Sequence, residues 1–288
     1  MFWQLLISGL VIGSVYGLIA LGYSLIYKAS GLMTFAQGDL LTVGAFLGVT
    51  FFNGYHLPFV VSLALSVFIA FFIGLGVEKF IIRRLLNKKV MAIYIVLATI
   101  AISYIIQNGT MIGFGTKTLY FIFPFKTVKL GTISVQTESL VCIIVAVCCM
   151  VLLHFFMSRT KLGTAMRAAS MDATAAEACG IDVSLTTGIT WGLAAGLAAL
   201  GGMLIGPIFG VYTTLGATIG KKGSAAAVSG GYGNMYGAIV GGLLLGIVET
   251  MVAGFWTSEL KDMVSYVILL AFLFLRPTGL FNEQAIQD

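Results

Sequence analysis

From Leu5 to Tyr27 no charged side chain interrupts the sequence, and the pattern then recurs along the whole chain. Comparable apolar runs cover Leu40–Phe52, Pro58–Val77, Val90–Ile106, Leu140–Met157, Val183–Val211, Gly237–Phe255 and Met263–Leu275. A helix needs about 20 apolar residues to cross the hydrocarbon layer of a bilayer. Most of these runs reach that length, the second being short. Their unbroken apolarity excludes a β-barrel, whose strands alternate in polarity over about 10 residues. Only 9% of the 288 residues are charged and 59% are hydrophobic, with a mean hydropathy of +1.04. Soluble domains carry about 25% charged residues, so the solvent around this chain is largely hydrocarbon. The expected fold is an all-α polytopic membrane protein. It has about eight transmembrane helices, plus a broken or re-entrant segment near 212–234, in a single domain over 1–288.

Basic residues in short loops mark the cytoplasmic side. Lys79, Arg83, Arg84, Lys88 and Lys89 cluster in the loop 78–89, and Arg159, Lys161 and Arg167 in the loop 158–182. The connection 109–139 between them is then external, although it carries Lys117, Lys126 and Lys129. Its Phe121–Phe125 stretch suits an interfacial aromatic segment. The amino terminus, Met1-Phe2-Trp3-Gln4, lacks a basic flank and leads straight into the first span. Counting puts that terminus outside, but eight full crossings would also leave Arg276 outside. The stretch Tyr212–Asn234, with Lys221, Lys222 and six glycines, is too polar for an ordinary span. Either it is a surface loop, or it is a broken crossing buried against other helices, where protein or a watery cavity satisfies its backbone.

Glycines recur four apart at 9, 13 and 17, at 188, 192 and 196, at 202, 206 and 210, and at 233, 237 and 241. That spacing lays a smooth stripe on one helix face and lets backbones approach closely. Cys142, Cys148, Cys149 and Cys179 have no metal-ligand spacing and read as small packing residues. Soluble-enzyme motifs fail. Gly216–Lys222 has its glycines four apart and Lys222 where a phosphate loop needs a hydroxyl. His56 and His154 have no ligand partner nearby in sequence. No cofactor or metal site is read, and the chain is not expected to hydrolyse ATP itself.

Two groups of residues remain as candidates. The first is the cytoplasmic segment Met166–Asp182, read as a short helix outside the membrane. Asp172 would cap it, alanines fill it, and Gly180 stops it in the left-handed conformation. A helix of small residues with few charges suits being gripped by another protein, though it also serves as a plain connection. The second group is polar residues at membrane depth, which are costly and usually face a cavity or a partner. They are Gln37, Asp39, Gln107, Asn108, Asn234 and Glu249. Asp39 would cap a half-helix beginning at Leu40 or contact substrate. Glu249 would pair with a basic group or serve transport.

The series Gly17-Leu-Ile-Ala-Leu-Gly22, Gly31-Leu-Met-Thr-Phe-Ala-Gln-Gly-Asp39, Gly237–Glu249, Lys261-Asp262 and Arg276-Pro-Thr-Gly-Leu-Phe281 resembles the membrane permease of branched-chain amino acid ATP-binding-cassette importers, nearly end to end. The family often has histidine where Gln37 stands, and a neutral amide does not titrate. The resemblance implies a coupling loop within 158–182, with Arg167, Asp172, Ala176, Glu177, Gly180 and Ile181 docking on an ATPase. It also implies two cytoplasmic ATP-binding subunits, a second homologous permease in a heterodimer, an extracytoplasmic substrate-binding protein, and the bacterial inner membrane. Alternating access would carry branched-chain amino acids, amides, urea or aromatic acids. A stand-alone secondary transporter or channel fits the same composition. Such proteins gather ionisable clusters in broken helices near the midplane, and it would leave the docking segment unexplained.

Overall fold

The computed structural model describes residues 2–88, 90–121, 127–130, 133–276 and 279–281. Lys89, Ile122–Phe125, Lys126, Pro277 and Thr278 therefore lie outside the described residues, and with them most of the aromatic segment and part of the terminal motif. Among the described residues the regular structure is helical, apart from one antiparallel hairpin, Thr127–Leu130 with Ile133–Gln136, and a single bridge between Leu119 and Val211.

Among the described residues six helices are long and apolar enough to cross a membrane. They are α1 (Phe2–Ser30), α3 (Phe59–Val77, running on through a π-turn into the short α4, Arg83–Asn87), α5 (Ala92–Phe114), α6 (Thr137–Arg159), α9 (Val183–Phe209) and α11 (Met235–Phe255). Three shorter helices pack among them. These are α2 (Gln37–Val49, extended by a π-turn to Gly54), α10 (Leu215–Gly230) and α12 (Leu260–Leu275). The stretch read as a loop or broken crossing is thus a buried 16-residue helix, held by α1, α2, α11 and α12. Its glycines and alanines let it sit inside protein. Counting α10 as a crossing makes nine, an odd number, which brings Arg276 to the side opposite the amino terminus and removes the difficulty in the topology. The spans α5 and α6 run longer than their apolar cores suggested, and the external connection shortens accordingly.

Most glycines of these stripes form contact seams. A Cβ on Gly13 would lie 2.9 Å from the Leu243 backbone, and one on Gly246 would lie 2.3 Å from Gly13. Real side chains do not tolerate such distances, so α1 and α11 meet backbone to backbone. This is the most extensive helix pair in the molecule. The same device seats α9 against α2, where a Cβ on Gly44 would be 2.2 Å from Ala199. Without a hydrophobic force between helices in lipid, such close van der Waals contact is what holds spans together.

Candidate functional site

The cytoplasmic segment forms an elbow of two helices rather than one. Thr160 caps α7 (Lys161–Met171), its hydroxyl accepting from Gly163 N at 3.0 Å. Gly163 and Met166 are buried and seat α7 on α6, α1 and α9. At Asp172 the backbone turns extended (φ −152°), and its carboxylate accepts from Ala175 N at 3.0 Å to open α8 (Ala173–Ala178). Gly180 has φ +82°. Gly180 N donates to Glu177 O and Ile181 N to Ala176 O, the paired bonds that close a helix through a left-handed residue. Both sequence-read caps are therefore present, and the break between the two helices at Asp172 is what sequence reasoning missed. Ala176 is buried, whereas Arg167, Asp172, Glu177 and Gly180 are exposed and Met171 at the bend is 81% exposed. The elbow presents small side chains on a rigid, doubly capped frame.

The second locus lies at the start of α2. Leu40 N donates to Ala36 O, so the helix begins at Gln37, and no side chain caps it. The expected capping by Asp39 is thus corrected: Asp39 sits inside the first turn and accepts a hydrogen bond from Ser103 Oγ on α5. Gln37 Nε2 donates to Ala194 O on α9 at 2.7 Å. Ser103 is midway along α5 and Ala194 midway along α9, so α2 begins near mid-depth. Phe35 N donates to Thr99 Oγ1 at 3.1 Å, and Gly216 N to Thr42 Oγ1 at 2.8 Å. Side chains from α2 and α5 thereby satisfy backbone groups that hydrocarbon cannot. Gln37 Oε1, Asp39 Oδ1 and Trp191 Nε1 are buried without a partner among the described residues.

The third locus is a charge cluster. Glu249 pairs with Lys222 at 2.5 Å and accepts from the Tyr16 hydroxyl at 3.0 Å. Lys222 Nζ also reaches Asp262 at 2.6 Å. Glu249 and Lys222 are almost wholly buried, while Asp262 is half exposed. One lysine thus ties α10 to α11 and α12, and Tyr16 adds α1. The sequence anticipated a basic partner for Glu249. It did not name Lys222 as that partner, and it gave no role to Tyr16, Asp262 or Ser103. The available signal was a lysine within an otherwise small-residue helix, since a charge inside a bilayer protein implies a counter-charge.

The remaining candidates scatter. Asn234 caps α11, accepting from Tyr236 N and Gly237 N. Asn108 is exposed and donates to Tyr104 O of its own helix. Gln107 is half-buried one residue before it. They join neither the α2 locus nor the charge cluster.

Comparison with known proteins agrees across the whole chain. Residues 5–273 match the family model described as branched-chain amino acid transport system / permease component. The chain is 30% identical over 304 residues to the high-affinity branched-chain amino acid transport system permease protein BraD of Pseudomonas aeruginosa, covering 99% of this chain and 97% of that one. It is 28% identical over 301 residues to the permease protein LivH of Escherichia coli K12, with the same coverage. Among solved structures, PsaBC from Streptococcus pneumoniae in complex with Fab superposes with TM-score 0.54 at 16% identity, over 96% of this chain and 92% of that chain, a likeness of fold alone. The chain belongs to the family of branched-chain amino acid transport system permease components.

Proposed function

We propose that the chain is the membrane-spanning subunit of an ATP-binding-cassette importer in the bacterial inner membrane, moving branched-chain amino acids or related small polar solutes inward. Family membership supports the substrate class. The observation that carries the coupling is the α7–α8 elbow. It is capped at both starts, closed at Gly180 and anchored through Gly163, Met166 and Ala176, yet it exposes nearly everything else on α8. A rigid lever with small exposed side chains suits a cleft in a partner, and its anchoring on α1, α6 and α9 passes a push into the bundle.

Two cytoplasmic ATPases would grip the elbows of this chain and of a second homologous permease, and an external binding protein would deliver solute. The path would run between the two permeases. Here α5 is the natural lining, because it packs mainly on α2 and its Ser103, Gln107 and Asn108 follow one another towards the external end. Asp39 stands behind Ser103. ATP-driven closure of the ATPases would rock the two bundles and alternate the access of that path.

The test is purification of the tagged chain from native membranes, followed by reconstitution with the proteins that accompany it. A nucleotide-binding subunit should co-purify, and uptake of leucine into proteoliposomes should require both ATP and that subunit. Solute movement by the isolated chain without nucleotide would sink the proposal.

A further inference from the structure

A cleft of about 250 Å³ opens on the lipid side between α3, α6 and α9. Val67 and Phe71 form one wall, Cys149, Leu152 and Phe156 the other, and Gly196 contributes to the floor on α9. The absence of a side chain at Gly196 is what makes it deep. A Cβ there would touch only Val67, at an ordinary 3.4 Å. No structural seam demands the glycine.

The depth of the cleft is set by α6. Cys149 lies ten residues before Arg159, about 15 Å at 1.5 Å per residue. That is half of the roughly 30 Å hydrocarbon layer, so the cleft occupies the inner-leaflet half. Its lining side chains are all apolar, which suits an acyl chain.

Basic residues follow the two cleft walls along the chain towards the cytoplasmic end. Arg159 follows Phe156 by one turn on α6, and Lys79 follows Phe71 by two turns on α3. Both are exposed, and among the described residues neither joins an ion pair. Two acidic groups at this end are engaged elsewhere. Glu78 is held by Arg83 at 2.7 Å, and Asp182 caps α9. Basic pockets between spans on the cytoplasmic side attract anionic headgroups.

We infer that this cleft is a binding site for an anionic glycerophospholipid of the inner leaflet, with one acyl chain over Gly196 and the headgroup between Lys79 and Arg159. A lipid seated there bridges α3 to α6, two spans with no extensive contact of their own.

The test uses the full chain, with any subunits that co-purify, in nanodiscs of phosphatidylethanolamine and a minority of phosphatidylglycerol. Native mass spectrometry then counts the lipids retained after detergent delipidation. A phosphatidylglycerol adduct should persist on the unaltered chain. Lys79→Gln and Arg159→Gln should each weaken that preference about fivefold, the effect of one surface charge. Gly196→Leu should abolish retention of the adduct at an unchanged melting temperature. Equal retention of phosphatidylethanolamine, or an unchanged preference in the double charge variant, would overturn the inference. Those two surface substitutions carry no risk to folding, so the outcome stands even if Gly196→Leu misfolds.

Discussion

The central spans α1 and α9 and the peripheral spans α3 and α6 differ in a way that inverts the rule for soluble proteins. Over their most apolar windows α9 is 78% buried at a hydropathy of 1.8, and α1 is 67% buried at 2.1. By contrast α3 is 22% buried at 2.6, and α6 is 28% buried at 2.9. The greasiest helices face outward, because lipid rewards apolar surface as well as the protein interior does. Inside, small residues win. The seams of α1 and α9 are made of Gly, Ala, Ser and Thr, and the large exposed side chains, Phe68, Phe72, Leu152 and Phe155 among them, sit on α3 and α6.

The sharpest way to break that contrast is to strand a charge at the centre. Lys222→Ala leaves Glu249 buried with only the Tyr16 hydroxyl for company. Removing one partner of a buried pair costs about 3–5 kcal/mol. The variant should melt earlier in detergent or fail to accumulate, and Lys222→Met with Glu249→Leu should recover much of the loss. A Lys222→Ala chain as stable as the parent would show that the cluster is hydrated and not structural. Next in size is the seam itself. Gly246→Leu drives a side chain into the Gly13 backbone. Overpacking typically costs about 1–3 kcal/mol and more where the backbone cannot yield, so thermal unfolding should fall clearly. The same change at Gly113 of α5, where no atom lies within 4 Å of the added Cβ, should leave the melt unmoved.

The spans, the four-residue glycine periods, the odd polarity of 212–234 and the caps at Asp172 and Gly180 were all legible in the sequence. Each rests on residues close together in the chain. A span is a run, a seam is a spacing, and a cap acts within three residues. The Asp39 role was misread for the same reason. Capping is a local rule, but Ser103 lies 64 residues away and claims the carboxylate, while the helix starts at Gln37. Likewise Glu249 announced a missing counter-charge without naming it. Lys222 is 27 residues off, in a helix whose burial follows from contacts with four others. The break between α7 and α8 was missed because Asp172 suits a helix start whether or not a helix precedes it.

A smaller effect separates stability from coupling. Gly180 stands at φ +82° with nothing within 4 Å of an added Cβ. Gly180→Arg therefore costs backbone strain of about 1–2 kcal/mol for a side chain in the left-handed region, confined to an exposed elbow. The membrane bundle should melt as before, whereas ATPase co-purification and ATP-driven uptake should both drop. Normal values for both would remove the elbow from the mechanism.

The smallest expected effect probes the outward face directly. Ile112 on α5 is 88% exposed, and lipid and protein offer an isoleucine much the same apolar surroundings. Ile112→Leu should therefore change the melting temperature by no more than a surface substitution does, within about 0.5 kcal/mol. In lipid nanodiscs Ile112→Ser should be costlier than in detergent, because hydrocarbon cannot hydrate the hydroxyl as water at a micelle edge does. If Ile112→Leu lowers stability when companion subunits are present and not in the isolated chain, this face of α5 is covered by another span. The low burial of α5 would then mark an interface, and the division into lipid-facing and central spans would need one more class.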